Sequence, residues 1–249
     1  MRRLIVLCVL GLLGGCANPP AQVGWLASGG CSQPSQDQEL ALNLARDMVA
    51  DGRAHAALAH LQALPASLPE VRLRQARIYR SLGRSEAAPL YRSLLGTCLA
   101  ADGHHGLGQL AAASADQREA LAQLREALSL APTDAKVRND LGLVLLREGR
   151  VDDARFEFIT ALELSQGDPL PAQNLLSLLF YTDQYQQAAE LVSRLRLPAD
   201  AVRQAQARAQ EMKRQGLGAP LVSQDTAADA PLLAGVHEAG PGSSEEVGR

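Results

Sequence analysis

Aromatic side chains make up only 3% of this 249-residue sequence, with a single tryptophan. Alanine and leucine dominate instead, which suits a core of packed helices and not a large β-sheet core. The signatures of catalysis are missing too. There is no H-E-x-x-H, no G-x-S-x-G and no Walker A loop, so zinc-protease, serine-hydrolase and P-loop chemistry fall away. An apolar run at Leu4 to Leu13, broken by Gly11, is ten residues long, and a helix crossing a bilayer takes roughly 20. Cysteine is confined to Cys8, Cys16, Cys31 and Cys98. Basic charge is also in short supply, with 24 Lys and Arg against 27 Asp and Glu. That balance argues against a nucleic-acid partner, which demands a concentrated basic face.

What is present is self-similarity. Leu107-Gly108 recurs 34 residues later as Leu141-Gly142, Ala120 as Ala154, Leu124 as Phe158, and Ala127-Leu128 as Ala161-Leu162. Such spacing of small and large residues describes a pair of antiparallel helices. The small residues let the helices approach, the large ones fill the gap to the next pair, and Pro132 ends the second helix of the first copy. The pattern resembles the tetratricopeptide repeat (TPR). That resemblance implies an all-α, right-handed superhelical solenoid, a fold that binds other chains and carries no chemistry of its own.

Weaker copies extend the array. Aligning Gly83 with Gly149 places Ala76, Tyr79 and Ala88 in the repeat slots, and aligning Gly52 does the same for Ala45, Met48, Ala57 and Leu61. About five helix pairs are predicted, starting near Gln38, Pro69, Ala101, Ala135 and Pro169 or Leu170. The register of the last pair is open by one residue, because Ala188 and Ala189 both suit its close-packing slot. Gly52, Gly83 and Gly149 fall at tight turns within pairs, where positive φ is often required. Ala199 to Gln215, polar and bracketed by Pro198 and Gly216, reads as a helix capping the last pair.

The flanks differ in kind. Met1-Arg2-Arg3, the apolar run and Leu13-Gly14-Gly15-Cys16 resemble a bacterial lipoprotein signal, in which Cys16 takes the lipid and residues 1–15 are removed. Ala17 is not the Asp that marks inner-membrane retention in that family, so the resemblance implies an outer-membrane protein facing the periplasm. Several acyl chains at about 0.8 kcal/mol per buried methylene give stable anchoring. Removing residues 1–15 takes away two arginines and no acid, leaving a formal charge of −5. Residues 16–35 read as a tether, 36–215 as the solenoid, and 216–249, rich in Gly, Pro, Ser and acid, as a disordered tail.

Candidate sites are few. Gly103-His104-His105-Gly106-Leu107-Gly108 looks glycine-rich, but no strand precedes it and Leu107-Gly108 are repeat positions. His104 and His105 read as polar residues of a helix start; no metal site is expected, no catalytic residue, and no cofactor. Cys31 and Cys98 either pair as a disulfide, in a compartment that permits one, or stay separate with Cys98 packed as a small hydrophobe. Counting from Leu141-Gly142, the concave surface of the first helices is expected to expose Asn139, Leu143, Leu146 and Arg147. One repeat earlier it would expose His105 and Gln109. Such a mixed groove fits an internal segment or amphipathic helix of a protein partner.

The lipobox, the tether, the repeats and the segment Asn139 to Arg155 together resemble the TadD-like TPR lipoproteins of the tight-adherence (Flp pilus) assembly system. The resemblance implies a non-enzymatic scaffold at the outer membrane, with the secretin or other pilus-assembly components as partners. Type IV pilus pilotins and TPR adaptors for cell-wall hydrolases share the same general features.

Overall fold

A computed structural model describes residues 33–165 and 167–216. These form eleven helices and no strand. Five antiparallel pairs run in order: α1 (Gln36–Ala50) with α2 (Ala54–Gln62), α3 (Pro69–Ser81) with α4 (Ala87–Arg92), α5 (Ala100–Ala113) with α6 (Gln117–Leu130), α7 (Ala135–Arg147) with α8 (Val151–Leu164), and α9 (Leu170–Tyr181) with α10 (Tyr185–Leu195). The last helix, α11 (Ala199–Gln215), packs along α9. Cys16 and Cys31 lie outside the described residues.

Local chemistry sets the helix boundaries. Ser35 begins α1 with a capping box: its hydroxyl accepts from the Gln38 amide, and the Gln38 side chain accepts from the Ser35 amide at 2.8 Å. Asp116 and Asp134 cap α6 and α7 through backbone amides of their first turns, meeting donors a helix leaves unpaired. Within each pair the chain reverses through one repeated turn. The amides of Arg53, Arg84, Asp116, Arg150 and Gln184 each donate to the carbonyl five residues back, the outer bond of a Schellman motif. That motif needs a left-handed residue. Gly52, Gly83 and Gly149 supply it, with φ of 79°, 65° and 76°, while Ala115 and Asp183 take it at 61° and 57°.

The repeat residues pack as their sizes dictate. Ala120, Ala127, Ala154 and Ala161 are fully buried, as are Leu124 and Phe158. The helices of the fourth pair touch where Gly142 meets Phe158. A Cβ on Gly142 would lie 2.7 Å from the Phe158 ring. In the fifth pair α9 starts at Leu170, and Ala188, not Ala189, occupies the close-packing slot. The second pair departs from expectation. Ala87 is its fully buried alanine and Ala88 is only partly covered. Its second helix is also cut to six residues, with Pro89 inside it, before turns lead to α5.

Candidate functional site

Polar side chains, most of them buried, bridge α5, α7, α9 and α11 in turn. His105 of α5 donates from Nε2 to Asp140 Oδ2 of α7 at 2.8 Å, and Gln109 Nε2 donates to the same oxygen at 2.8 Å. On the other side of α7, Asn174 of α9 donates from Nδ2 to Asn139 Oδ1 at 2.9 Å. Farther along, Arg208 of α11 reaches Gln173 of α9 at 3.5 Å. The contacts His105–Asp140, Asn139–Asn174 and Gln173–Arg208 each join residues 35 apart, one more than the repeat, so every rung steps diagonally from one first helix to the next. Because α11 continues the ladder, it stands where the first helix of a sixth pair would stand.

This ladder corrects the expected groove. His105, Gln109, Asn139, Leu143 and Leu146 are all buried, with Asn139 and Leu146 wholly inaccessible. Leu143 and Leu146 belong to the main apolar core. Arg147 is partly buried and donates to the Ala112 carbonyl at 3.4 Å; burial holds its guanidinium below the ordinary value, with Asp140 opposing. The physical reason is mutual satisfaction. Polar groups that bond across the stack lose little on leaving water, so the first helices close against one another there. His104 and His105 are likewise not at a helix start. They lie inside α5, and His104 Nδ1 sits 2.7 Å from Gln123 Oε1 of α6. The nearby glycines serve packing: a Cβ on Gly106 would strike the Tyr91 ring at 2.2 Å, and one on Gly108 would meet Leu124 at 2.8 Å. Cys98, in the turn before α5, is disulfide-bonded.

The open surface lies instead between two second helices. A cleft of about 1220 Å³ runs between α8 and α10, floored by Ala172, Leu175 and Leu179 of α9. Its walls carry Ile159 and Leu162 from α8 and Leu191 and Leu195 from α10. Ile159 and Leu195 are 39% and 37% exposed; Phe156 and Tyr185, on the same helices but outside the lining, are 63% and 60% exposed. Charge rings the apolar walls: Arg155 and Glu163 on one side, Glu190 and Arg194 on the other. Arg155 closes one end by donating across to Gln184 and Gln187. The sequence signal for this surface was the excess of large apolar residues on α8, where Phe156 and Ile159 fall outside the repeat slots. Among the described residues, no group of three or more His, Cys, Asp or Glu side chains gathers to hold a metal ion.

Helix pairs stacked through small residues, each closed by the same left-handed turn, define a tetratricopeptide-repeat solenoid. Comparison with known proteins agrees. Residues 111–179 match the tetratricopeptide repeat family. The chain is 46% identical over 230 residues to TPR repeat-containing protein PA4299 of Pseudomonas aeruginosa, spanning 92% of this chain and 93% of that one. Two solved structures share the fold. A thermophilic TPR protein of Thermus thermophilus has 21% identity and a TM-score of 0.54 over 71% of this chain and 98% of its own. The pilF protein of Pseudomonas aeruginosa has 20% identity and a TM-score of 0.55 over 77% and 96%. The chain belongs to the tetratricopeptide-repeat protein family, whose members are typically non-catalytic and bind other proteins.

Proposed function

We propose that this protein is a lipid-anchored scaffold that holds a helical segment of a partner protein in the α8–α10 cleft. The observation that carries the reading is the cleft itself. Its apolar floor and walls, from Ile159 and Leu162 of α8 across α9 to Leu191 and Leu195 of α10, are bordered by charges of both signs. An amphipathic helix presenting an apolar stripe at i, i+3, i+4 and i+7 suits such a groove, with its flanking charges meeting the rim. An extended C-terminal peptide suits it less, because nothing in the lining forms a row of cations for a terminal carboxylate.

In this reading Cys16 carries the lipid and holds the solenoid on the periplasmic face of the outer membrane. The scaffold acts in assembly of a Flp or type IV-like pilus machine, assisting the secretin to localise or multimerise. Support comes from the Leu-Gly-Gly-Cys sequence after a short apolar run, joined to a TPR array in one chain. Two experiments test it. In Cys16→Ser, fatty-acid label and membrane attachment should both disappear; label retained by the variant contradicts the anchor. Deletion of the gene should reduce secretin oligomers and surface pili together. Normal pili with altered cell-wall hydrolase activity would assign the scaffold to hydrolase recruitment instead.

A further inference from the structure

Arg155 is a cation on the wall of the α8–α10 cleft that meets no anion there. It stands one turn into α8, and its Nη1 donates across to the side-chain carbonyls of Gln184 at 2.5 Å and Gln187 at 3.3 Å, at the start of α10. Both acceptors are neutral amides. Its Nε is buried and has no acceptor among the described residues. The carboxylates around it are held by other groups: Asp153 accepts from Arg150, Glu157 from Arg138, Asp183 from Lys213 and Tyr185, and Glu190 from Gln186. Asp152, one turn back, forms no ion pair with Arg155. Glu163 lies eight residues further along α8, about 12 Å away at 1.5 Å per residue. It shares the other end of the lining with Asp168 and Arg194. The cleft therefore holds an unmatched cation where its two wall helices start, and charges of both signs where they finish.

We infer that Arg155 selects what the cleft holds: a partner helix whose apolar stripe ends, on the Arg155 side, in an Asp or Glu that pairs with the guanidinium. The inference rests on the cleft being the docking groove and is independent of the pilus-assembly role. Nε and Nη2 form one edge of the guanidinium, and neither donates to a described residue. A carboxylate meets that edge with two parallel charge-assisted bonds, which are stronger than bonds to a neutral amide. The bound acid also supplies the acceptor that the buried Nε lacks, and a buried donor without an acceptor is costly. Gln184 and Gln187 hold the side chain across the cleft in the meantime, so the fork is already placed when the partner arrives. A glutamine at the same place in the partner would leave the charge unmatched, and a lysine would be repelled. The far end makes no such choice, because Arg194 shares it with two acids.

The test presents the full-length protein with a displayed library of short helices. Each has leucine fixed at i, i+3, i+4 and i+7, and the residues flanking that stripe vary among Glu, Gln and Lys. Clones retained by the unmodified protein should favour Glu over Gln by about tenfold at one end of the stripe and show no such bias at the other. Arg155→Gln should lose the bias. Arg155→Glu should turn it toward Lys, a gain that an unfolded variant could not show. Ile159→Glu, in the apolar wall, should retain few clones of any kind. An acidic bias that persists in Arg155→Gln overturns the inference, and so does retention with no preference at either end. In both of those cases, loss of the clones in Ile159→Glu would leave the cleft standing as the docking groove. Clones kept equally by the unmodified protein and Ile159→Glu bind elsewhere, and would overturn the groove and this inference together.

Discussion

Five turns reverse the chain within its helix pairs, and two of them place a side chain where glycine stands in the other three. Ala115 at φ 61° is the clearest cost. A left-handed L-residue is disfavoured by roughly 1–2 kcal/mol, offset in part by the greater freedom glycine has when unfolded. Ala115→Gly should therefore stabilise the solenoid by about 0.5–1 kcal/mol, seen as a higher urea midpoint; a lower midpoint would contradict the turn. Gly142 shows the opposite case. Phe158 is fully buried and leaves no room for a Cβ, so Gly142→Ala should cost about 1–3 kcal/mol by overpacking. Gly96→Ala, which meets nothing within 4 Å, serves as its control. Gly142 was legible in the sequence, because close helix contact demands a small residue, and so were the turn glycines Gly52, Gly83 and Gly149; Ala115 was not, since an alanine carries no left-handed signal. Nor were the buried polar residues. Asn139 and His105 read as solvent-facing, since a polar side chain on a helix usually is. Only a search for polar pairs 35 apart, His105 with Asp140 and Asn139 with Asn174, could have revealed the ladder.

At the scale of the element, that ladder fixes how one first helix sits against the next. Asp140 accepts from both His105 and Gln109, and all three side chains are buried. Asp140→Ala removes the shared acceptor and strands two donors, so a loss of about 3 kcal/mol is expected in chemical denaturation. A loss below about 1 kcal/mol would mean that the contact is open to water. The same geometry makes Asn139→Arg a folding lesion, because the site has no room or solvent for a charge. The extent of each helix was legible from caps, glycines and prolines, and the register of the last pair was settled by which alanine met its partner helix. The shortened α4 was not legible, since Pro89 inside a repeat that otherwise matched gave only a local warning.

For the whole molecule, the stacked repeats make a solenoid whose ends differ. Polar rungs join α5, α7, α9 and α11, α11 covers the last pair, and the exposed Ile159 of α8 and Leu195 of α10 border one cleft. Function in such a molecule resides in a surface, and the cleft is where apolar area and accessibility coincide. The most direct measurement is partner capture by the full-length protein and by Ile159→Glu/Leu195→Glu. Both positions are more than a third exposed, so helix content and melting midpoint should stay close to wild type. Under the proposed pilus-assembly role, co-purification of the secretin or another pilus-assembly protein should fall at least tenfold, since charges set against an apolar helix face cost several kcal/mol. Capture undiminished in a folded double variant would contradict the cleft as the working surface of this scaffold.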